Sequence, residues 1–423
     1  MGLNALQGVR VLDLSHVIAG PTASHYLALE GAEVIKIEKP GKGDILRRSG
    51  KALAPGISVG FAAINLGKKS LALDLKTLGG KDVLRRLVAS ADVFIENFRP
   101  GAVARLGFDY AAVSALNPRI IYASISGFGQ EGAWSSRAAY DHVVQSAIGM
   151  SMMQGVEGQE PMKVGFPVVD TATGMMGAQA ILTALIRQFR QGQGAYLDVS
   201  MAQAGLQLMW PDASRVATGA EDAPRIGNRG FSGSPGAATF QCDDGWISTA
   251  ANTLVQFTAL CKVLGLPEVY KDPALIDQVA LQRGGFLVAK DADRVHALLV
   301  QAVMNRQVDE LEKALMAHQV PCAKLRQLSE LVASCQSEAL MTLPVRHTDY
   351  PMGVMTDFGS GYKSDQSQEP TLPCAPRLGQ HSRDILTELG MEKAEIESLI
   401  AIGAVAEDVS LVDASGMNTQ SSG

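Results

Sequence analysis

Six short runs of β-branched and apolar residues recur through the first half of the chain, at positions 9–14, 32–38, 70–74, 93–96, 120–125 and 195–199. Between several of them lie longer stretches with apolar residues at helical spacing, among them 22–30, 81–90 and 110–115. Short, nearly continuous apolar runs fit strands buried on both faces, and the intervening helices supply the crossovers that parallel pairing requires. The alternation therefore predicts βαβ units and an α/β fold with a largely parallel sheet covered on both sides. With 423 residues, the chain exceeds one ordinary core, and two or three domains are expected.

The character changes between positions 210 and 236, where polar residues and glycines cluster. A large α/β domain is expected over 1–205, a linker over 206–225 and a smaller α+β domain over 226–325. The latter opens with a hairpin at 238–250 that turns on Asp243-Asp244-Gly245. Beyond position 326 come strands, proline-containing loops and a closing helix pair after Ser382, with a polar tail, 410–423, expected to be disordered.

Composition excludes several functions. The formal charge of −6 gives no global positive field for a nucleic-acid backbone or an anionic membrane. Five cysteines without a C-x-x-C pair signal neither a disulfide framework nor a zinc site, and a reducing, cytoplasmic setting is expected. The first residues lack the basic segment and apolar run of a secretory signal. The apolar stretch 171–186 falls short of the roughly 18–20 residues of a membrane span and reads as a buried helix. Seven histidines form no H-E-x-x-H, so no metal is expected, and the absence of G-x-S-x-G disfavours a serine hydrolase.

Three features remain. Gly127-Phe128-Gly129-Gln130-Glu131-Gly132 matches G-x-G-x-x-G after a predicted strand, but Trp134-Ser135-Ser136 follow where a dinucleotide site would open its helix. It reads as a flexible glycine loop. Asp170, in Asp170-Thr171-Ala172-Thr173-Gly174, precedes the long apolar stretch as a helix N-cap would. The helix dipole and amide donors there would also favour its ionised form, making an aimed nucleophile, and the two roles are compatible. Finally, cations collect after predicted strands: Lys36, Lys39, Lys42, Arg47 and Arg48 early, then Lys68, Lys69, Lys76, Arg99 and Arg105. At carboxyl ends of strands such residues can meet phosphates; elsewhere they are ordinary solvated side chains.

Several segments carry a resemblance. They are Leu6-Gln7-Gly8-Val9-Arg10-Val11-Leu12-Asp13-Leu14 with Ala19-Gly20-Pro21; Gly31-Ala32-Glu33-Val34-Ile35-Lys36-Ile37-Glu38 with Gly43-Asp44; and Asn65-Leu66-Gly67-Lys68-Lys69-Ser70 continuing to Lys76. The most specific is Asp92-Val93-Phe94-Ile95-Glu96-Asn97-Phe98-Arg99-Pro100-Gly101, and Pro376-Arg377-Leu378-Gly379-Gln380-His381 closes the set. Together they resemble the class III CoA-transferases, a family that also includes α-methylacyl-CoA racemases, and the likeness weakens only over about 205–330.

The resemblance implies a Rossmann-like large domain completed by the C-terminal segment, a smaller domain between, and two chains threaded into an interlocked homodimer. It implies Asp170 as the nucleophile that carries the acyl group and then CoA, with Tyr140 facing the thioester. It assigns Lys39, Lys76 and Arg105 to the CoA phosphates. His16, Val17, Ile18 and Ala19, with Asn97, Phe98 and Arg99, line the CoA entrance. CoA is a substrate here and no prosthetic group is expected. Ile18 stands where formyl-CoA transferases have glutamine, which weakens a formate or oxalate assignment. The stretch Gly230-Phe231-Ser232-Gly233-Ser234-Pro235-Gly236 is bulkier than the family's glycine loop. Racemases similar to this chain use a histidine in G-H-D, whereas here the triplet is Ala139-Tyr140-Asp141 and His142 is displaced, which favours transfer over racemisation. A non-catalytic acyl-CoA-binding subunit is the remaining alternative. The acceptor is expected to be a small carboxylic acid, and a dicarboxylate would pair its distal charge with Arg137 or Arg225.

Overall fold

The structure is a computed structural model that describes residues 3–222, 224–277, 285–337, 346–366 and 372–407. The expected disordered tail, 410–423, lies outside them. The chain divides into two compact units, one built from 1–150, 163–220 and 343–423, the other from 151–162 and 221–342.

The first unit carries the sheet that the alternation predicts. Strands β1 (Arg10–Asp13), β2 (Glu33–Glu38), β5 (Lys69–Leu73), β6 (Val93–Glu96), β7 (Ile121–Ser126) and β8 (Ala195–Ser200) are joined at the edge by β14 (Val405–Ala406). Among the described residues they form one seven-stranded sheet in the order β14-β5-β2-β1-β6-β7-β8. All pairs are parallel except β14 with β5. Two small hairpins, β3 (Ala52–Ala54) with β4 (Ile57–Ser58) and β12 (Arg346–Tyr350) with β13 (Gly353–Asp357), lie outside it.

Alternate residues of each strand feed opposite cores, as the pleat dictates. Leu12, Ile35, Leu71 and Phe94 pack on one face with Val83, Leu87, Ile385 and Leu399. Val11, Val34, Val93 and Ile121 pack on the other with Ala23, Leu27, Ile181 and Leu185. Burial on both faces is why the strands read as continuous apolar runs.

On the second face, helix Ala19–Leu29 packs beside helix Val168–Gln191. Glycine permits the approach: a Cβ at Gly174 would sit 2.5 Å from Thr22 Cβ and 2.9 Å from the Ala19 carbonyl, and one at Gly177 would be 3.2 Å from Ala23 Cβ. These contacts pair early residues with early residues, so both N-termini point the same way.

Two expectations are corrected. The apolar stretch is not wholly buried: its 24-residue helix, long and apolar enough by composition to cross a membrane, exposes Met175, Ile186 and Phe189 while Ile181 and Leu185 fill the core. The range 206–225, expected as a linker, carries helical structure. Ser200 caps helix Met201–Leu208 by accepting the Gln203 N–H, and a second helix, Trp210–Ala217, starts with Pro211 in its first turn and buries no residue.

The second unit holds an antiparallel sheet of β9 (Gly236–Gln241), β10 (Trp246–Ala251) and β11 (Cys322–Lys324). Phe240, Ile247, Phe257, Leu299 and Leu311 form its core with helices Leu254–Val263, Ala292–Val303 and Val308–Ala317.

Candidate active site

In chain order the parallel strands run third, second, first, fourth, fifth, sixth across the sheet. Connections leave β1 and β6 toward opposite sides, so a crevice opens beyond their carboxyl ends, where open α/β sheets bind ligands. A cavity of about 420 Å³ occupies that place. Its walls are His16, Val17, Ile18 and Ala19 after β1, and Asn97, Phe98, Arg99 and Pro100 after β6. Tyr140, Arg137 and Asp170 also line it. A second cavity of about 290 Å³ is lined by Lys39, Lys76 and Leu106, and shares His16 and Phe98 with the first. Arg105 is exposed and lines neither.

The wall after β1 is tightly fixed. Asn97 clasps His16, its Oδ1 accepting the His16 N–H at 2.9 Å and its Nδ2 donating to the His16 carbonyl at 2.7 Å. The ring of His16 lies 5.6 Å from that of Phe98. Burial lowers the His16 pKa, with Asp44 opposing and Lys36 reinforcing that direction, so the imidazole is neutral over most of the physiological range.

The sequence places Asp170 at a helix N-cap; the structure moves it inside. Pro167 holds the cap position without a side-chain bond and Asp170 sits in the first turn. The orphan amides go to another residue. Asp141 Oδ2 accepts the N–H groups of Val169 at 2.8 Å and of Asp170 at 2.9 Å, while its Oδ1 accepts from Gln145 Nε2 at 2.5 Å. The expectation of a strongly favoured anion is thereby corrected. Burial and the nearby Asp141 carboxylate push the Asp170 pKa up to about 7. Near pH 7 a substantial fraction of such a group is the anion, and an anion of higher pKa is the stronger nucleophile.

Tyr140 is 69% exposed at the start of helix Asp141–Ala147. His142 is exposed and does not line the cavity. The glycine loop has a positional role: a Cβ at Gly127 would lie 2.2 Å from Ala139 Cβ, so glycine lets the Ala139–Tyr140 segment approach β7. The loop itself is tied by Ser126 Oγ accepting the Gly129 N–H and Asp198 accepting the Gln130 N–H. No helix opens there, in line with its reading as a loop.

The cations divide sharply. Lys36, Arg47 and Lys68 are fully buried and serve the fold. Lys68 Nζ pairs with Asp13 at 3.0 Å, Lys36 with Asp44 at 3.3 Å and Arg47 with Glu38 at 2.5 Å. Lys69 pairs with Glu33 and Glu388. By contrast Lys39, Lys76, Arg99 and Arg105 are exposed and form no salt bridge among the described residues, leaving them able to meet an anionic ligand. Arg137 is also exposed, with its guanidinium carbon 4.2 Å from the Trp134 ring centroid. Arg225 belongs to the other unit, where it donates to the Gln159 carbonyl. Sequence reasoning gave no role to Asp141 or Asp44, whose partners are distant along the chain. Among the described residues no group of His, Cys, Asp and Glu is placed to hold a metal.

Comparison with known proteins agrees with this geometry. The family described as CoA-transferase family III matches residues 6–382. A succinyl-CoA:glutarate CoA-transferase of Mus musculus is 31% identical over 411 residues, covering 96% of this chain and 91% of the relative. A formyl-CoA:oxalate CoA-transferase of Streptomyces coelicolor is 33% identical, covering 96% of this chain and all of its own length. The crystal structure of a CAIB/BAIF family protein from Brucella suis superposes with a TM-score of 0.78 at 30% identity, covering 91% of this chain and 99% of that one. A two-unit α/β protein with an open-sheet crevice and a half-buried carboxylate is thus placed among the enzymes that use CoA thioesters as substrates. The chain belongs to CoA-transferase family III.

Proposed function

We propose that this enzyme moves CoA from an acyl-CoA to a free carboxylic acid through covalent intermediates on Asp170. The observation that carries the reading is Asp170 in a cavity adjacent to a second one, lined by Lys39 and Lys76, with His16 and Phe98 forming walls of both. CoA is long and has phosphates at one end and a thioester at the other. The exposed lysines suit the phosphates, with Arg105 and Arg99 near the path, and His16 to Ala19 guide the pantetheine arm toward Asp170.

The Asp170 carboxylate attacks the thioester carbonyl; the C–S bond breaks, CoA thiolate leaves and a mixed anhydride forms. The thiolate then attacks the Asp170 carbonyl of that anhydride, releasing the donor acid and leaving CoA as an aspartyl thioester. The incoming carboxylate attacks this thioester, expelling thiolate and reforming an anhydride. Thiolate attack on the new acyl carbonyl delivers the product and restores Asp170. A carboxylate nucleophile is required because a mixed anhydride keeps the energy of the thioester available for a second acid. Tyr140 offers a phenolic donor on the thioester side. Replacing Asp170 with Ala is expected to remove exchange while far-ultraviolet circular dichroism stays unchanged; persistence of exchange contradicts the mechanism.

The acids are small, and one of them is a dicarboxylate. This is supported by the succinyl, glutarate and oxalate substrates in the relatives' names and by Arg137, a cation held against Trp134 at the cavity wall. Arg137→Met is expected to raise KM for a dicarboxylate by more than about tenfold and to leave monocarboxylates little affected; equal effects on both would remove Arg137 from the recognition. We propose further that two chains form an interlocked homodimer, which would cover the exposed Met175, Ile186 and Phe189. Threaded subunits should separate only on unfolding, as size exclusion across a denaturant series will read.

A further inference from the structure

Val17 lines the cavity that holds Asp170, in a backbone conformation that its own side chain disfavours. Its φ is +66°, in the left-handed region where a β-branched residue is an outlier. Such a conformation persists only where surrounding groups over-determine it. Here they do so from two directions. Asp44 accepts the Val17 N–H with both carboxylate oxygens, at 3.1 and 3.3 Å. Lys36 Nζ donates to the Ser15 carbonyl at 2.8 Å and pairs with the same Asp44 at 3.3 Å. One buried ion pair thus grips the chain on both sides of His16, at the Ser15 carbonyl and the Val17 amide.

Asp44 is itself immobilised. It is 3% exposed, accepts the Leu46 N–H at 3.0 Å, and donates its own N–H to Glu38 Oε1 at 2.9 Å. It is absent from the walls of the cavity that holds Asp170. It does line the second cavity, with Lys39 and Lys76, so a direct effect on CoA binding has to be separated from one that passes through Val17.

We propose that Asp44, anchored by Lys36, is a positioning residue: it locks Val17 in the left-handed conformation and so aims the Val17–Ile18 backbone and the start of helix Ala19–Leu29 at the site of acyl transfer. The proposal rests on the reading of that cavity given above. It distinguishes Asp44 from a mere counter-ion for Lys36, because only a positioning role depends on which residue occupies position 17. Glycine enters the left-handed region without steric cost, so a chain with Gly at 17 needs Asp44 less.

The test is a cycle of four chains: wild type, Asp44→Ala, Val17→Gly and the double variant, each assayed for acyl-CoA exchange. Asp44→Ala is expected to lower kcat/KM by about tenfold or more when Val17 is present and by less than about threefold in the Val17→Gly chain. Equal losses in the two backgrounds would overturn the proposal and leave Asp44 as a counter-ion only. Should Asp44→Ala fail to fold, the cycle is run with Asp44→Asn, which weakens the bond to the Val17 amide, and the same inequality decides. Absence of exchange in wild type would sink the functional reading instead. Acyl-CoA affinity measured calorimetrically in the four chains then still reports whether positions 17 and 44 are coupled.

Discussion

Asp13 and Asp170 show how one residue type is turned to opposite ends. Asp13, the last residue of β1, is fully buried. Burial alone would raise its pKa, yet Lys68 and Lys36, with the hydroxyls of Ser15 and Ser24, hold its carboxyl well below the usual range. Asp170 is less buried, yet its pKa rises to about 7, because burial acts there with the Asp141 charge and no cation opposes them. The amides that would have stabilised its anion are bonded to Asp141 instead. Depth in the protein does not decide the protonation of a carboxylate; the supply of donors and countercharge does.

This contrast can be broken from either side. The largest effect is expected at Asp13: Lys68→Met leaves that carboxylate without the partner 3.0 Å away, and a loss of about 3–5 kcal/mol of stability should follow, seen in denaturant unfolding. A loss under 1 kcal/mol would mean that Lys36 and the two hydroxyls suffice.

A smaller effect of opposite sign is expected at Asp170. A raised carboxyl pKa contributes stability that is complete below the unfolded value of 3.8 and is lost as pH rises through about 7. Asp170→Asn removes the ionisation, so its Tm should exceed that of wild type at pH 8 by about 2–6 °C, the advantage vanishing near pH 4. An equal difference at both pH values would contradict the assignment.

The smallest effect is expected from Asp141→Asn. The amide oxygen can still accept the Val169 and Asp170 N–H groups, while the neighbouring negative charge disappears. Because burial is the larger cause of the raised pKa and Asp141 the lesser, the midpoint of the rise in kcat/KM with pH should fall from about 7 by only about half a unit to one unit. No change would show that Asp141 acts on Asp170 through its bonds alone.

Much of the fold was legible because both faces of the sheet are buried. Runs such as 93–96 carry apolar side chains to two cores at once, and that leaves an uninterrupted signal in one sequence. The hairpin turning on Asp243-Asp244-Gly245 was legible for a local reason, its turn chemistry. Pairings across space were not. Lys36, Arg47 and Lys68 look like Lys39 and Lys76 in sequence, and only the approach of Asp44, Glu38 and Asp13 separates structural cations from exposed ones. Asp170 stood out at the head of an apolar helix, but its capping partner lies 29 residues earlier, so its ionisation was expected with the wrong sign. The exposed face of helix Val168–Gln191 was likewise hidden, since Met175 and Ile186 are as apolar as Ile181.

The proposed transfer turns on a covalent bond between Asp170 and CoA. Incubation with an acyl-CoA alone, followed by borohydride reduction and peptide mass spectrometry, tests it most directly. Reduction of residue 170 from the acid to the alcohol is expected, dependent on acyl-CoA and absent in Asp170→Asn. An unmodified Asp170 in a preparation that exchanges CoA, or modification at another carboxylate, would contradict it.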